Sequence, residues 1–263
     1  MTASAAATLQ AESGGRVTLG FGRGDSALSQ IGLKQPHVAE FERALAEIQG
    51  FLGGEAVELA GGFRSTNAWI ADSGQPKVPV AVAASGEHVI RAAARHADQI
   101  DFTVGAEEDR LRWAIETARD EGAAASFGAF VNVAVDDDAA AARDLVRGST
   151  SILARFAAEG SSLEGLSDVT RQGIEELAAG YDEAAHGKST AAAAQRMPAE
   201  FIDRFAVCGP ADEVAERLAG LAALGIERLI VVPGSLDAEP AAVDAANERF
   251  AADVLPRLLD VAA

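Results

Sequence analysis

The segment Arg16-Val17-Thr18-Leu19-Gly20-Phe21-Gly22-Arg23-Gly24-Asp25-Ser26 decides how this chain is read. Val17, Leu19 and Phe21 alternate with Thr18 and Gly20, the two-residue period of a strand. The glycines at 20, 22 and 24 then leave the backbone free to turn tightly and to approach a ligand closely. Arg23 stands among them, so its guanidinium projects from a strand end, with Asp25 and Ser26 following as turn and cap residues. A cation on such a turn is one half of an anion site and calls for a second half elsewhere in the chain.

Working outward, 5–12 have helix-forming composition and Ser13-Gly14-Gly15 stop the helix ahead of the first strand. After Pro36 and His37, the residues Val38, Phe41, Leu45, Ile48 and Leu52 form the apolar stripe of an amphipathic helix. The stretch 55–76 has no sustained period and reads as an excursion with a short hairpin, Trp69 and Ile70 tucking it onto the body. Val78, Val80 and Val82 mark a second strand. It runs through Ala84-Ser85-Gly86-Glu87-His88 straight into a helix. Strands over 100–104, 127–135 and 229–232 follow, each separated from the next by helical periodicity. Asp136-Asp137-Asp138 reads as a helix cap, since consecutive carboxylates do not converge on one metal ion. The stretch 160–204 is the least regular, with helices expected over 168–179 and 198–205, and Pro256 is expected to kink the last helix. Strand and helix thus alternate along one domain over 1–263, which means parallel strands covered by helices.

The dinucleotide fingerprint fails. Gly20 and Gly22 occupy its first two places, but Asp25 stands at the third, where a carboxylate would face a pyrophosphate. The second half of an anion site is better sought at Ala84, Ser85, Gly86 and His88, where a strand feeds a helix N-terminus with free N–H groups. Ser85 is either a donor to an anion or a plain N-cap. At the C-terminal ends of neighbouring barrel strands, Arg23 and the Ser85–His88 turn would share one phosphate. Asn132 is a core polar group or, if it points inward, a substrate contact. Cys208 has no nearby base in sequence, and His37, His96 and His186 read as surface residues.

Composition sets the outer bounds. With 263 residues, 49% hydrophobic, the chain can bury a sizeable core. One cysteine excludes a disulfide framework. A formal charge of −18 argues against nucleic acid and anionic membrane surfaces as partners. There is no apolar span of membrane length and no basic leader, so the expected location is cytoplasmic.

Arg16–Ser26 with its preceding Ser13-Gly14-Gly15, together with Val80-Ala81-Val82-Ala83-Ala84-Ser85-Gly86, resembles the luciferase-like flavin and deazaflavin oxidoreductases. Ala97–Asp101, Val131–Asp138, Phe205–Pro210 and Leu224-Gly225-Ile226 continue the likeness in the family's order, most closely to its branch resembling methylenetetrahydromethanopterin reductase. The resemblance implies an α/β fold of the TIM-type (β/α)8 barrel. It implies coenzyme F420 or, alternatively, FMN held by its phosphate at Arg23, Ala84, Ser85, Gly86 and His88. It further implies hydride transfer or monooxygenation on a small organic substrate, and a possible homodimer. Family members often carry Gly-Pro where this chain has Gly86-Glu87, and a basic residue in place of His88. Five strands are expected where a barrel has about eight. Met1 then falls near the end of the family's third βα unit. The alternative expectation is accordingly a shortened, non-catalytic flavin-binding or partner subunit.

Overall fold

The computed structural model describes residues 1–24, 26–59, 61–159 and 168–262; Asp25, read above as a turn residue, and the start of the 160–204 excursion lie outside them. In chain order the first half comprises α1 (Thr2–Ser13), β1 (Leu19–Phe21), α2 (Ser26–Gln30), α3 (Val38–Leu52), β2 (Val57–Leu59), β3 (Phe63–Ser65), α4 (Ala68–Asp72), β4 (Val80–Ala84), α5 (Glu87–His96) and β5 (Gln99–Phe102). It continues with α6 (Glu108–Asp120), β6 (Ser126–Val135), α7 (Ala139–Glu159), α8 (Asp168–Ala179), α9 (Ala192–Gln195), α10 (Ala199–Phe205), β7 (Val207–Gly209), α11 (Ala211–Ala223), β8 (Arg228–Val232), α12 (Pro240–Arg249) and α13 (Leu255–Ala262).

All five strands expected from the alternating apolar runs form, and they pair in parallel in the order β1-β4-β5-β6-β8. Spatial order follows chain order without reversal. That is the winding of a barrel wall, not of a doubly wound sheet with a switch point. The wall does not close: among the described residues β1 pairs only with β4, and β8 only with β6. It is a parallel half-barrel. The short strand β7 adds to the far end of β6, Val133↔Val207 to Val135↔Gly209, where β5 has already ended. The sequence reading passed over β7 because three residues show no period.

One face of the sheet is packed. Val80, Val82, Ile100, Phe102, Phe127, Ala129 and Val131 meet Ile90 and Ala93 of α5, Leu111, Ala114 and Ile115 of α6, and Val214 and Leu218 of α11. Phe102, Ile90, Ile100, Leu111 and Leu218 are fully buried, each worth roughly 1.5–3 kcal/mol over exposure. The alternate residues turn to the other face, and there the wall carries charge. Arg228 Nη2 lies 2.5 Å from Asp101 Oδ1, and Arg228 Nη1 donates to Ser126 Oγ at 3.4 Å. The pair bridges β5 and β8 over β6. It can do so because the residue between them in register is Gly128, Asp101↔Gly128↔Arg228.

Several local expectations meet a physical reason. α1 ends in Gly14 at φ 66°, the left-handed cap that favours glycine. Its buried Gln10 ties two later segments together, accepting from Val17 N at 2.9 Å and donating to the Pro76 carbonyl at 3.0 Å. The 55–76 excursion does contain a hairpin, β2 with β3, and Ile70 is buried. Trp69, expected to tuck in beside it, is instead 45% exposed, since the short α4 turns only one face inward. Asp138 Oδ1 accepts from Ala140 N at 2.9 Å, confirming the cap on α7. Pro256 has no N–H for a carbonyl one turn back, and the preceding turn, Phe250–Val254, widens to a π-helix. The excursion is more regular than its sequence suggests: Ile174, Leu177, Ala193, Met197, Phe201, Ile202 and Phe205 form a second core with α7.

Candidate anion-binding site

Parallel register is what brings the two sequence-predicted halves together. β1 and β4 pair Leu19↔Val80 through Phe21↔Val82, so the end of β1 lies two residues short of the end of β4. Gly22, Arg23 and Gly24 leave β1 beside the last residues of β4, Ala83 and Ala84, and Ser85 beyond them. Between them lies a cavity of about 290 Å³ at the C-terminal edge of the sheet. Arg23, Ser85 and Gly86 line it, with Gly22, Gly24, Gln35, Ala83, Thr103 and the apolar side chains of Val89 and Phe156.

Each wall has a local cause. Gly24 sits at φ 91°, a conformation that favours glycine, and a Cβ there would overlap Leu28 of α2. Arg23 Nη2 donates to Gln35 Oε1 at 2.7 Å, and Gln35 Nε2 in turn donates to the Gly24 carbonyl. The arginine is therefore held by a neutral amide, and no carboxylate among the described residues pairs with it. Opposite, α5 begins at Gly86, whose carbonyl accepts from Val89 N and Ile90 N at 3.0 Å. The N–H groups ahead of Val89 have no carbonyl within the helix to meet, and the helix dipole adds positive potential at this end. The N-cap is Gly86 and no side chain caps it, so Ser85 is not the plain cap that was one of its two readings. Its hydroxyl makes no hydrogen bond among the described residues.

Glu87, a departure from the family's usual pattern, does not oppose an anion here. Arg91 Nε binds its Oε1 at 3.1 Å one turn along α5, and Arg91 Nη1 also binds Glu121 at 3.1 Å. Two of the residues named from sequence stand off the cavity. Ala84 is buried behind the strand end, and the His88 side chain is exposed on α5. In a strand Ala84 points away from its neighbours Ala83 and Ser85, and one helical step from Glu87 turns His88 outward. Gln35, Thr103 and Phe156 were missed. Thr103 follows Phe102 at the end of β5 and was legible from alternation along that strand; Gln35 and Phe156 come from distant segments with no local signal.

Other sequence candidates resolve as structural. Asn132 is buried, its Nδ2 donating to Thr150 Oγ1 of α7 at 3.4 Å. His186 is not simply solvated, since Tyr181 Oη lies 2.8 Å from its Nδ1. Burial and the neighbouring Asp203 carboxylate push the Cys208 thiol up to about 11, the wrong direction for a nucleophile. No group of metal-ligating side chains occurs among the described residues, and none of their helices is long and apolar enough to cross a membrane.

A parallel half-barrel wall whose strand C-termini carry a cavity lined by Arg23 and the start of α5 defines a barrel-type α/β protein. Residues 1–228 match the luciferase-like monooxygenase family, and the chain belongs to that family. It is 31% identical, over 98% of its own length and 73% of the relative's, to the F420-dependent glucose-6-phosphate dehydrogenase of Beutenbergia cavernae. It is 27% identical to the 5,10-methylenetetrahydromethanopterin reductase of Archaeoglobus fulgidus, over 88% of this chain and 71% of that one. Its fold is similar to that of the coenzyme F420 dependent tetrahydromethanopterin reductase of Methanopyrus kandleri, with TM-score 0.68 and 20% identity over 98% of this chain and 78% of that chain.

Proposed function

We propose that the Arg23 turn and the N-terminus of α5 hold the phosphate of coenzyme F420, with FMN as the alternative, and that the protein is an oxidoreductase passing hydride between that cofactor and a small organic substrate. The observation that carries this reading is that, among the described residues, an arginine without a carboxylate partner faces an uncapped helix start and an unengaged serine hydroxyl across one cavity. Two relatives whose names specify F420 or a methanopterin substrate support the cofactor assignment.

The residues fit a phosphate better than a whole cofactor. A volume of about 290 Å³ is at the lower limit of ligand pockets, near 300 Å³. It accommodates the phosphate and the start of its linker. Arg23 supplies the charge-assisted donor, Ser85 a hydroxyl, and the first turn of α5 its backbone N–H groups. Val89 and Phe156 give an apolar flank that limits water beside the phosphate, and Thr103 offers one more hydroxyl from the next strand. When bound, the cofactor supplies the hydride chemistry; the protein binds, orients and shields it.

The test is a fluorescence titration of the protein and Arg23→Ala with F420 and with FMN. Loss of a hydrogen bond to a charged group, about 1.5–3 kcal/mol, corresponds to roughly ten- to hundred-fold weaker binding. Equal affinities for parent and variant would overturn the assignment, and the ratio of the two parent affinities decides between the cofactors.

A further inference from the structure

Among the described residues Arg23 is the only charged side chain lining the cavity, and its neighbour Gln35 is neutral. Gln35 belongs to the segment between α2 and α3, yet it grips the turn at two points. Its Oε1 accepts from Arg23 Nη2 at 2.7 Å, and its Nε2 donates to the carbonyl of Gly24, the next residue along. The amide thus closes a bridge over the glycine at φ 91° and takes up one edge of the guanidinium. A carboxylate in that place would hold the arginine as well or better, but would cancel its charge toward an incoming anion.

We infer that Gln35 is the positioning residue of the phosphate cradle: a neutral side chain that fixes Arg23 while leaving its full positive charge for the ligand. The inference rests on the phosphate reading proposed above. It assigns Gln35 no contact with the cofactor's ring and no part in hydride transfer. Its specificity consequence is that Gln35 governs how strongly the protein prefers a phosphorylated ligand over the same ligand without phosphate.

The experiment compares the parent, Gln35→Ala, Gln35→Glu and Arg23→Ala by titration with FMN and with riboflavin, which differ by the phosphate, and with F420 at several salt concentrations. Gln35 is exposed and Arg23 half-buried on the cavity wall, so the variants are expected to fold, and thermal melting checks this. Gln35→Glu is expected to lose about as much FMN and F420 affinity as Arg23→Ala, roughly ten- to hundred-fold, and to flatten the salt dependence. Gln35→Ala is expected to lose several-fold while keeping the salt dependence. Riboflavin affinity is expected to stay constant in all. If Gln35→Glu binds FMN and F420 as the parent does, or if Gln35→Ala weakens FMN and riboflavin equally, the inference is overturned while the phosphate reading stands. If Arg23→Ala itself binds like the parent, the phosphate reading falls first.

Discussion

Gly128→Ala adds one methyl group to the middle of β6. A Cβ at Gly128 would overlap Asp101 Oδ1 deep inside van der Waals contact and lie 3.0 Å from Arg228 Nη2 and 3.2 Å from its Nε. The backbone cannot yield, since residue 128 is paired in register with Asp101 on one side and Arg228 on the other. The Asp101–Arg228 pair must therefore open, and Asp101 is 8% exposed with its carboxylate largely out of reach of water. Overpacking costs about 1–3 kcal/mol and loosening a buried charge from its hydrogen bonds about 1–3 kcal/mol more, so a loss of roughly 2–6 kcal/mol is expected. At about 2–4 °C per kcal/mol for a chain of this size, the melting temperature should fall by roughly 4–24 °C. Calorimetry or circular dichroism measures it, with Gly173→Ala in α8 as the control. That position has open space where a Cβ would go, and the change should be neutral or gain up to ~1 kcal/mol from helix propensity. A Gly128→Ala chain that melts within about 1 °C of the parent would show that the ion pair does not depend on the glycine, and the account of the inner face would be wrong.

Asp98 and Cys208 give further tests. Burial works against ionisation of Asp98, but Lys77, the Val80 N–H and Gln49 outweigh it and hold the carboxyl below its ordinary value. A depressed folded pKa contributes stability that is present above the unfolded value near 3.9 and lost as pH falls through the folded one. The advantage of the parent over Asp98→Asn in denaturant midpoint should therefore be full at neutral pH and shrink as pH falls below about 4; parallel acid profiles for the two proteins would contradict it. With its thiol pushed up to about 11, Cys208 should react with a neutral disulfide reagent at mild alkaline pH about a hundred-fold more slowly folded than unfolded, from thiolate fraction alone. Equal rates would place it in an open, unshielded site.

Much of the wall was legible in the chain because its signals are local and periodic. The alternation at 127–135 predicts β6, and the spacing of Phe41, Leu45 and Leu52 predicts the buried stripe of α3. The two halves of the anion site were legible for the same reason: each is a turn whose residues are adjacent in sequence. What joins them was not. Parallel register sets Phe21 level with Val82, and it is a property of pairs of strands. Gln35 reaches Arg23 across a segment with no period, and Phe156 arrives from the far end of α7. Asp101 and Arg228 are 127 positions apart, and only the small residue between them in register would have hinted at the bridge. β7 and the π-turn before Pro256 depend on a neighbour's vacant edge and a missing N–H, which residue patterning does not record.

β6 also has a history during synthesis. Its first side is satisfied early, since β5 precedes it by a short helical connection and pairs with Ser126 to Ala129. Its second side, Gly128 to Asn132, waits for β8. About ninety residues must emerge from the ribosome in between, which at cellular rates takes roughly 5–20 s. Through that interval the longest of the described strands carries an open edge, and Asp101 stands beside Gly128 with its counter-charge not yet made. The helices of the second core are translated in this gap and reach the sheet through α7 first. Arg228 is the residue whose arrival ends the wait, closing the edge and neutralising the carboxylate in one step.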